Sequence, residues 1–239
     1  MAFPARHALD EAWPASSASG PGAILAALPT GSVWQANRIA HSQSEARPSG
    51  FAALDRELPG GGWPSGALIE LLLDRPGAGE LSLLLPLLGR TPAERWIAWV
   101  APPLLPYPPA LLRAGVPLSR LLLIQPRRSE DALWAARQAA ASGSCSAVLA
   151  WMQKLDNAAL RRLQLAAEDS ATPVFLFRPR SAGGQASPSP LRLALSPAGE
   201  QLRIDILKRR GPPSARPLML TIHRDLQRDP VRTGLRLAS

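Results

Sequence analysis

The sequence predicts an α/β fold in which a mainly parallel sheet is flanked by helices and antiparallel strands extend the sheet near the C-terminus. Between residues 67 and 177, short apolar runs typical of buried strands alternate with segments of helical character. Such alternation is typical of a parallel sheet covered on both faces. After residue 190, apolar runs follow one another with only turns between them. The chain has 239 residues and is 46% hydrophobic, which is enough for one sizeable core.

The first five strands and their helices follow from apolar runs and from the residues that punctuate them. Strands are predicted at Ala67–Leu73, Trp96–Val100, Leu121–Ile124, Ala147–Trp151 and Val174–Phe177. Helices are predicted at residues 80–88, 110–114, 129–142 and 157–169. Pro86 is expected to kink or end the first helix. Ser129 and Asp156 are expected to cap the last two helices, and Gly115 and Gly143 act as stop signals.

The two ends of the chain are expected to differ from the middle. Residues 1–48 are rich in Ala, Ser, Pro and Gly and are predicted to form a flexible arm with one short helix near Ile24–Leu28. Residues 49–223 form the folded domain. After a loop at Gly183–Pro190, the domain closes with strands at Leu191–Leu195, Leu202–Leu207 and Leu218–Ile222. Residues 224–239 are predicted to be a basic tail.

The chain carries a formal net charge of +9, and 25 of its 27 basic residues are arginine. This surplus is typical of a protein that binds nucleic acid or an acidic partner. A GC-rich coding sequence, which also enriches arginine, is the alternative explanation. Residues 191–239 hold ten of the basic residues against four acidic ones, so the surplus is concentrated near the C-terminus.

Several classes of function are not expected. The single cysteine, Cys145, excludes a disulfide framework, and without a histidine nearby it is not expected to be a nucleophile. The three histidines are scattered without the spacing of metal ligands. No stretch of about 18 apolar residues is present, and residues 1–20 show no secretory signal. We therefore expect a cytoplasmic protein without a membrane span, a metal or a cofactor.

The loop between the first strand and the first helix lies where nucleotide hydrolases carry a phosphate-binding loop. That loop, GxxxxGK[ST], uses its lysine to neutralise the outer phosphates and its hydroxyl to hold Mg²⁺. Here the loop begins at Asp74 and contains Gly77 and Gly79, but Glu80 and Leu81 occupy the lysine and hydroxyl positions. Because two carboxylates would repel phosphate oxygens, we expect that triphosphate binding is lost. An acid–base role for these carboxylates is not expected, since no other residue completes a site.

The segment that leads into this loop resembles the corresponding segment of RecA. The shared residues are Gly50, Leu54, Asp55, Leu58, Gly61, Gly62, Pro64, Gly66 and Glu70. In this register the catalytic glutamate of RecA falls at Pro103 and its Walker B aspartate at Trp151. The resemblance therefore implies a RecA-like core with a degenerate P-loop that has lost ATPase activity.

Ordered motifs across residues 33–222 more specifically resemble the ImuA family, the RecA-like accessory proteins of the bacterial SOS mutasome. They include Leu58–Gly66, Gly77–Leu81, Trp96–Pro103, Leu149–Trp151, Leu160–Ala167, Phe177–Pro179 and Leu207–Gly211. Residues 81–179 also resemble SulA, the SOS inhibitor of cell division. The upstream segment Gly50–Glu70 and the motif at Leu207–Arg210 favour ImuA.

The ImuA resemblance implies a non-catalytic protein, induced by DNA damage, that acts in error-prone translesion DNA synthesis and mutagenesis. It implies contacts with RecA and with ImuB, a catalytically inactive Y-family polymerase homologue. Through ImuB it implies a link to an error-prone C-family polymerase. Two alternatives stay open, namely a SulA-like inhibitor that binds FtsZ and a weak RecA-like ATPase. Direct contact with DNA also stays open.

Six residues are candidates for contact with a partner or with DNA. Five of them are basic and follow strand ends, where a solvated terminus is the alternative: Lys208, Arg209, Arg210, Arg127 and Arg128. The sixth is Trp63, which lies in a Gly/Pro-rich loop and is expected to be exposed. The other tryptophans in predicted strands and helices are expected to pack in the core: Trp96, Trp99, Trp134 and Trp151.

Overall fold

An eight-stranded mixed sheet forms the centre of the computed structural model, which describes residues 46–214 and 216–222. The chain divides into two units, Met1–Ser42 and Gln43–Ser239, and every described residue falls in the second. The predicted arm helix near Ile24–Leu28 and the predicted tail at 224–239 lie outside the described residues.

The described part contains ten strands and five α-helices in chain order. The strands are β1 (Ala46–Arg47), β2 (Trp63–Pro64), β3 (Leu68–Leu73), β4 (Trp96–Val100), β5 (Leu121–Ile124), β6 (Cys145–Trp151), β7 (Val174–Pro179), β8 (Leu191–Ala198), β9 (Gln201–Lys208) and β10 (Leu218–Thr221). The helices are α1 (Ala52–Glu57), α2 (Glu80–Leu88), α3 (Pro108–Arg113), α4 (Ser129–Ala141) and α5 (Asn157–Ser170). Short 3₁₀ helices cover Leu118–Arg120 and Arg180–Gly184.

The main sheet runs in the order β10-β9-β8-β3-β7-β6-β4-β5. The six strands from β8 to β5 are parallel to one another, whereas β9 and β10 are antiparallel additions at one edge. Strand β3 lies near the middle, where Ile69 is opposite Phe175 on one side and Leu191 on the other. The predicted α/β class, the mainly parallel sheet and the antiparallel C-terminal strands are thus confirmed.

The two faces of the sheet bury separate hydrophobic clusters, because side chains alternate along each strand. One cluster includes Ile69 and Leu71 of β3 together with the apolar residues of α1 and α2. The other includes Leu68 and is covered by α4 and α5. Both faces of the inner parallel strands are therefore buried, which explains why these strands appear in the sequence as continuous apolar runs. The edge strand β5 is the exception, since Leu122 and Leu123 are about 40% exposed.

Several local predictions need correction. Pro86 does not end α2, which continues to Leu88, where the N–H of Gly89 donates to the carbonyl of Leu85 at 2.8 Å. Ser129 is not the cap of α4 but its first residue, and the capping residue is Arg128. A 3₁₀ helix at Arg180–Gly184 overlaps the start of the predicted loop. Helix α1 and the small antiparallel pair β1–β2 were not predicted.

The carboxyl ends of the parallel strands meet at one edge of the sheet, which we call the carboxyl edge. The loops that follow β3, β4, β5, β6 and β7 all lie there, and ligands of open α/β sheets bind at this edge. Within residues 46–214 and 216–222, no helix has the length and apolar character needed to cross a membrane.

Candidate functional site

The loop between β3 and α2 adopts a backbone shape that only its glycines favour. Strand β3 ends at Leu73 and α2 begins at Glu80. Between them, Gly77 and Gly79 have φ angles of 84° and 106°. Residues with a β-carbon rarely adopt such positive φ angles, so both glycines are required for this turn. A β-carbon at Gly79 would also clash with Cδ1 of Ile222, which packs directly against the loop.

The carboxylate of Glu80 folds back into this loop. The residue is 4% exposed, and its Oε1 accepts a hydrogen bond from the Gly77 N–H at 2.8 Å. Its Oε2 has no hydrogen-bond partner among the described residues. Backbone N–H groups in a glycine-rich loop before a helix are the groups that hold phosphate oxygens in phosphate-binding loops. Here one of these N–H groups binds a carboxylate of the same chain.

This geometry changes the reason for expecting no triphosphate here. The sequence suggested that Asp74 and Glu80 together would repel phosphate oxygens. Asp74 is exposed, whereas Glu80 is buried and bonded within the loop. The Glu80 carboxylate therefore competes directly with a phosphate for the Gly77 N–H, in addition to repelling a second anion. Leu81 is half-buried, packs against the core and offers no oxygen to a metal.

A cleft of about 380 Å³ opens beside the loop. Its lining includes Gly79, Glu80, Leu81, Tyr107 and Ile222. The walls are mainly apolar, and Glu80 is the one acidic residue among the described residues that form them. This cleft therefore has the chemistry of an apolar contact site more than that of a polyphosphate site.

The structure brings together three of the other positions singled out by the RecA resemblance. Asp74, Pro103 and Trp151 line one cleft of about 250 Å³ at the carboxyl edge. The ring of Trp151 stacks on Phe177 with centroids 4.4 Å apart and meets Trp99 edge-on at 5.7 Å. Neither proline nor tryptophan can serve as a general base or a metal ligand.

A larger cleft lies farther along the carboxyl edge and brings Arg127 and Arg128 together with basic residues from α5 and from the loop that precedes it. It measures about 620 Å³, and Lys154 and Arg162 line it as well. Arg128 forms an ion pair with Glu130. We call this the basic cleft.

The basic cluster at the end of β9 is only partly available to a partner. The Nζ of Lys208 donates to the Ser187 carbonyl at 2.8 Å. The Nη1 of Arg209 donates to the carbonyl of Glu57 and, at 2.7 Å, to its carboxylate, and the Arg209 side chain is 13% exposed. Arg210 is exposed. Arg209 thus ties β9 to the end of α1, and of the three residues Arg210 best fits the predicted contact.

The predicted exposure of two tryptophans is wrong. Trp63 is 0% exposed because β1 pairs with β2 and its ring packs edge-on against Phe175 at 5.3 Å. It cannot contact a partner in this fold. Trp134 was expected in the core but is 60% exposed, since α4 turns Ala132 and Ala136 inwards instead. Trp99 is buried as predicted, Trp151 is largely enclosed by aromatic rings, and Trp96 is half-buried with the Arg120 guanidinium over its ring.

A buried ionic cluster beneath the 3₁₀ helix at Arg180–Gly184 was not identified from the sequence. Glu70 is 0% exposed and accepts from Arg178 Nη1 at 2.8 Å, and its other oxygen lies 3.2 Å from Arg192 Nε. Burial raises the pKa of Glu70, but hydrogen bonds from Ser187 and Arg178 outweigh it and the pKa is lowered. The sequence feature that could have revealed this cluster was the acidic residue Glu70 in the middle of the apolar run Leu68–Leu73.

An exposed apolar segment after β4 was also not singled out. Leu104, Leu105, Tyr107 and Leu112 are each at least 59% exposed, and they fall within nine consecutive residues. Exposed apolar groups at this density are typical of protein interaction sites. The sequence signal that could have revealed this segment was the group of apolar residues within and just after the Pro-rich residues 102–109.

The remaining points concern the single cysteine and possible metal ligands. Cys145 is buried, and burial raises the pKa of its thiol, which disfavours the reactive thiolate. No cluster of three or more His, Cys, Asp or Glu suited to a metal ion occurs within the described ranges 46–214 and 216–222.

Comparisons with known proteins point to two related groups. The family described as "Cell division inhibitor SulA" matches residues 67–173. SulA of Photorhabdus laumondii is 33% identical over 106 residues, which cover 44% of this chain and 60% of that protein. SulA of Pectobacterium carotovorum is 32% identical over 126 residues, which cover 51% of this chain and 73% of that protein.

The match to ImuA extends over more of the chain. ImuA of Caulobacter vibrioides is 32% identical over 167 residues, which cover 63% of this chain and 68% of that protein. The crystal structure of SulA from Pseudomonas aeruginosa aligns with a TM-score of 0.40 at 29% identity, over 48% of this chain and 98% of that one. The sequence matches to ImuA and SulA show that the chain belongs to the ImuA/SulA-like family.

Proposed function

We propose that the protein is a non-catalytic accessory factor of the SOS response that supports error-prone translesion DNA synthesis. In this proposal it binds RecA and an ImuB-type inactive Y-family polymerase homologue, and through the latter it reaches an error-prone C-family polymerase. The proposal also takes the domain to be a RecA-like core whose β3–α2 loop is a former P-loop.

One observation carries the non-catalytic part of the proposal, namely that Glu80 occupies an N–H group of its own loop. A nucleotide would have to displace this carboxylate and then bind beside it, and like charges at close range oppose both steps. The neighbouring positions support the same conclusion, because Leu81, Pro103 and Trp151 supply neither a metal ligand nor a base.

The part of the proposal that concerns protein binding is supported by the exposed apolar segment. Leu104 and Leu105 are each 70% exposed, and the half-buried Pro106 next to them lines the same cleft as Glu80. A surface with clustered apolar side chains is stabilised when a partner covers it. The match to ImuA supports the ImuA resemblance, and it is that resemblance which implies RecA and the ImuB-type homologue as the partners.

A nucleotide titration tests the non-catalytic part. We expect a fluorescent ATP analogue with Mg²⁺ to show no saturable binding to the wild-type protein at micromolar concentration. The Glu80→Lys, Leu81→Thr double variant restores the lysine and the hydroxyl of the motif, with Asp74 unchanged, and shows whether the loop can still accept phosphate. Micromolar binding to the wild type, lost on competition with unlabelled ATP, would overturn the proposal.

A co-capture experiment tests the partners. Purified RecA, the ImuB-type homologue and FtsZ are offered separately to the immobilised protein. We expect capture of the first two, and weaker capture of at least one of them by the Leu104→Ser, Leu105→Ser variant. Leu165→Ser is the matched control, since Leu165 is 47% exposed on α5, outside the segment.

The second candidate function is inhibition of cell division through FtsZ. The observation that favours it is the SulA family match at residues 67–173, which includes the whole exposed apolar segment. Capture of FtsZ alone in the experiment above would replace the adaptor proposal by this one.

A further inference from the structure

The strand order of the sheet marks a second position where a ligand of an open α/β sheet is expected. The connection after β4 leads outwards to β5, whereas the connection after β6 leads in the opposite direction to β7. A crevice forms at the carboxyl edge where neighbouring strands send their connections to opposite sides, and ligands bind in such crevices. The basic cleft extends across this point, because its lining comes from the loops that follow β6, β4 and β5.

The charges that line the basic cleft are unbalanced. Its cations are Arg127, Arg128, Lys154 and Arg162, and its carboxylates are Glu130 and Asp156. Glu130 is paired with Arg128, and the Asp156 carboxylate accepts the N–H of Ala159 at 2.6 Å as the cap of α5. Among the described residues, Arg127, Lys154 and Arg162 have no acidic partner.

The shape and the remaining walls narrow the choice of ligand. About 620 Å³ is room for a nucleotide or two and is too small to enclose a double helix. Helix α4 begins at Ser129 without a side-chain cap, so the N–H groups of its first turn have no side-chain acceptor. Ser129 and Glu130 line the basic cleft, which places these N–H groups near the cations. Pro126, Leu133 and Met152 supply apolar walls against which a base can lie.

We infer that the basic cleft binds the phosphodiester backbone of single-stranded DNA without reading its sequence. Each nucleotide of a single strand carries one negatively charged phosphate. In this inference the three unpaired cations of the cleft contact successive phosphates. The ring of Trp151 is enclosed by Phe177 and Trp99, so stacking contributes little and the interaction is mainly electrostatic. This inference is independent of the adaptor role, which needs no contact with DNA.

Binding of labelled oligo-dT tests the inference. Fluorescence anisotropy with a strand of about 15 nucleotides should show saturable binding at low salt. If three phosphates are neutralised, log K against log salt has a slope near −2, and affinity falls about 20-fold between roughly 50 and 200 mM salt. The Lys154→Glu, Arg162→Glu variant should lose at least about tenfold in affinity and about 1.4 in slope.

A charge-matched control separates the cleft from the general basic character of the chain. Arg56 and Arg90 are exposed, lie outside the cleft lining and are not among the candidate contacts, so Arg56→Glu, Arg90→Glu changes the net charge equally. We expect it to alter affinity by less than about threefold, consistent with screening of distant charges. An equal loss in both double variants, or no binding at low salt, would overturn the inference. Tighter binding of a duplex of equal length, or equal competition by polyglutamate, would overturn the choice of ligand.

Discussion

Single residues in this fold take roles that their neighbours in sequence do not reveal. Trp63 follows three glycines and precedes a proline, which favours an exposed loop, yet its ring is buried against Phe175 of a distant strand. Glu70 was visible as an acid within an apolar run, but its partners Arg178 and Arg192 come from β7 and β8. Contacts between residues far apart in the chain could not be predicted from local patterns.

The burial of Trp63 predicts a large effect on stability. Trp63→Ala should lower the free energy of unfolding by about 3–5 kcal/mol, because it removes a large core side chain and leaves a cavity. Trp134→Ala is the control, and since Trp134 is 60% exposed we expect a change within about 0.5 kcal/mol. Urea denaturation followed by far-ultraviolet circular dichroism measures both. A small effect at Trp63 would contradict its position in the core.

The lowered pKa of Glu70 predicts a dependence of stability on pH. A carboxyl group whose pKa is lower in the folded state stabilises the fold above its usual pKa of 4.5 and loses this contribution as the pH falls through the folded pKa. The wild type should therefore lose stability below about pH 4.5. Glu70→Gln should be less stable at pH 7, because Arg178 and Arg192 stay buried without a counter-charge, and should lose less on acidification.

Denaturant unfolding at several pH values measures this dependence. Glu200→Gln is the control, since Glu200 is exposed in the turn between β8 and β9. Parallel curves for the wild type and Glu70→Gln between pH 3 and pH 7 would contradict the assigned role of the cluster.

At the scale of elements, patterns in the sequence were most informative where a whole element shares one environment. Strands β3 and β4 begin and end within one residue of their predictions because both faces of these inner strands are apolar. The edge strand β5 also matches its prediction, although Leu122 and Leu123 are about 40% exposed. Helix α1 was missed because it has six residues and buries only Leu54. The fold-back of Glu80 could not be predicted either, since it depends on the φ angles of Gly77 and Gly79.

The two loop glycines predict different costs of substitution. Gly77→Ala places a β-carbon in open space and should cost only the left-handed backbone strain, about 1–2 kcal/mol. Gly79→Ala meets the same strain and also clashes with Ile222, so it should cost more. Thermal unfolding of both variants ranks them. Equal costs would show that Ile222 moves aside freely.

The contact between β9 and α1 predicts that two adjacent arginines differ. Arg209→Ala removes charge-assisted hydrogen bonds to Glu57 and should cost about 1.5–3 kcal/mol. Arg210→Ala should change stability by less than about 0.5 kcal/mol, since Arg210 is exposed. Thermal unfolding of the two variants compares these stability costs. A larger loss for Arg210→Ala than for Arg209→Ala would contradict the contact assigned between Arg209 and Glu57.

For the whole molecule, the order of strands determines which strands are hydrogen-bonded on both sides and are therefore most resistant to local unfolding. Strands β3 and β7 each pair with a neighbour on both sides, whereas β5 pairs with β4 alone. The alternation of strands and helices predicted a parallel sheet, but the order of strands in it could not be predicted. Order depends on which crossovers bury the most surface, and no single segment carries that information.

This arrangement predicts a gradient of hydrogen exchange. Backbone amides of β3 and β7 should exchange slowest, near the rate of global unfolding, and those of β5 should exchange faster. Mass spectrometry on peptides from each strand measures the gradient. Protection of β5 equal to that of β3, rising with protein concentration, would indicate that Leu122 and Leu123, about 40% exposed, are covered by another copy.

The carboxylate of Glu80 differs from any diffusible anion in one respect, because it is tethered to the loop it fills. Its local concentration is independent of the supply of nucleotide in the cell, and no hydrolysis step can remove it. A nucleotide-dependent relative alternates between loaded and empty states, and its surface alternates with them. Under the proposed function the loop has one state. The amount of protein made, and not the turnover of a ligand, would then set how much of the binding surface is available to partners.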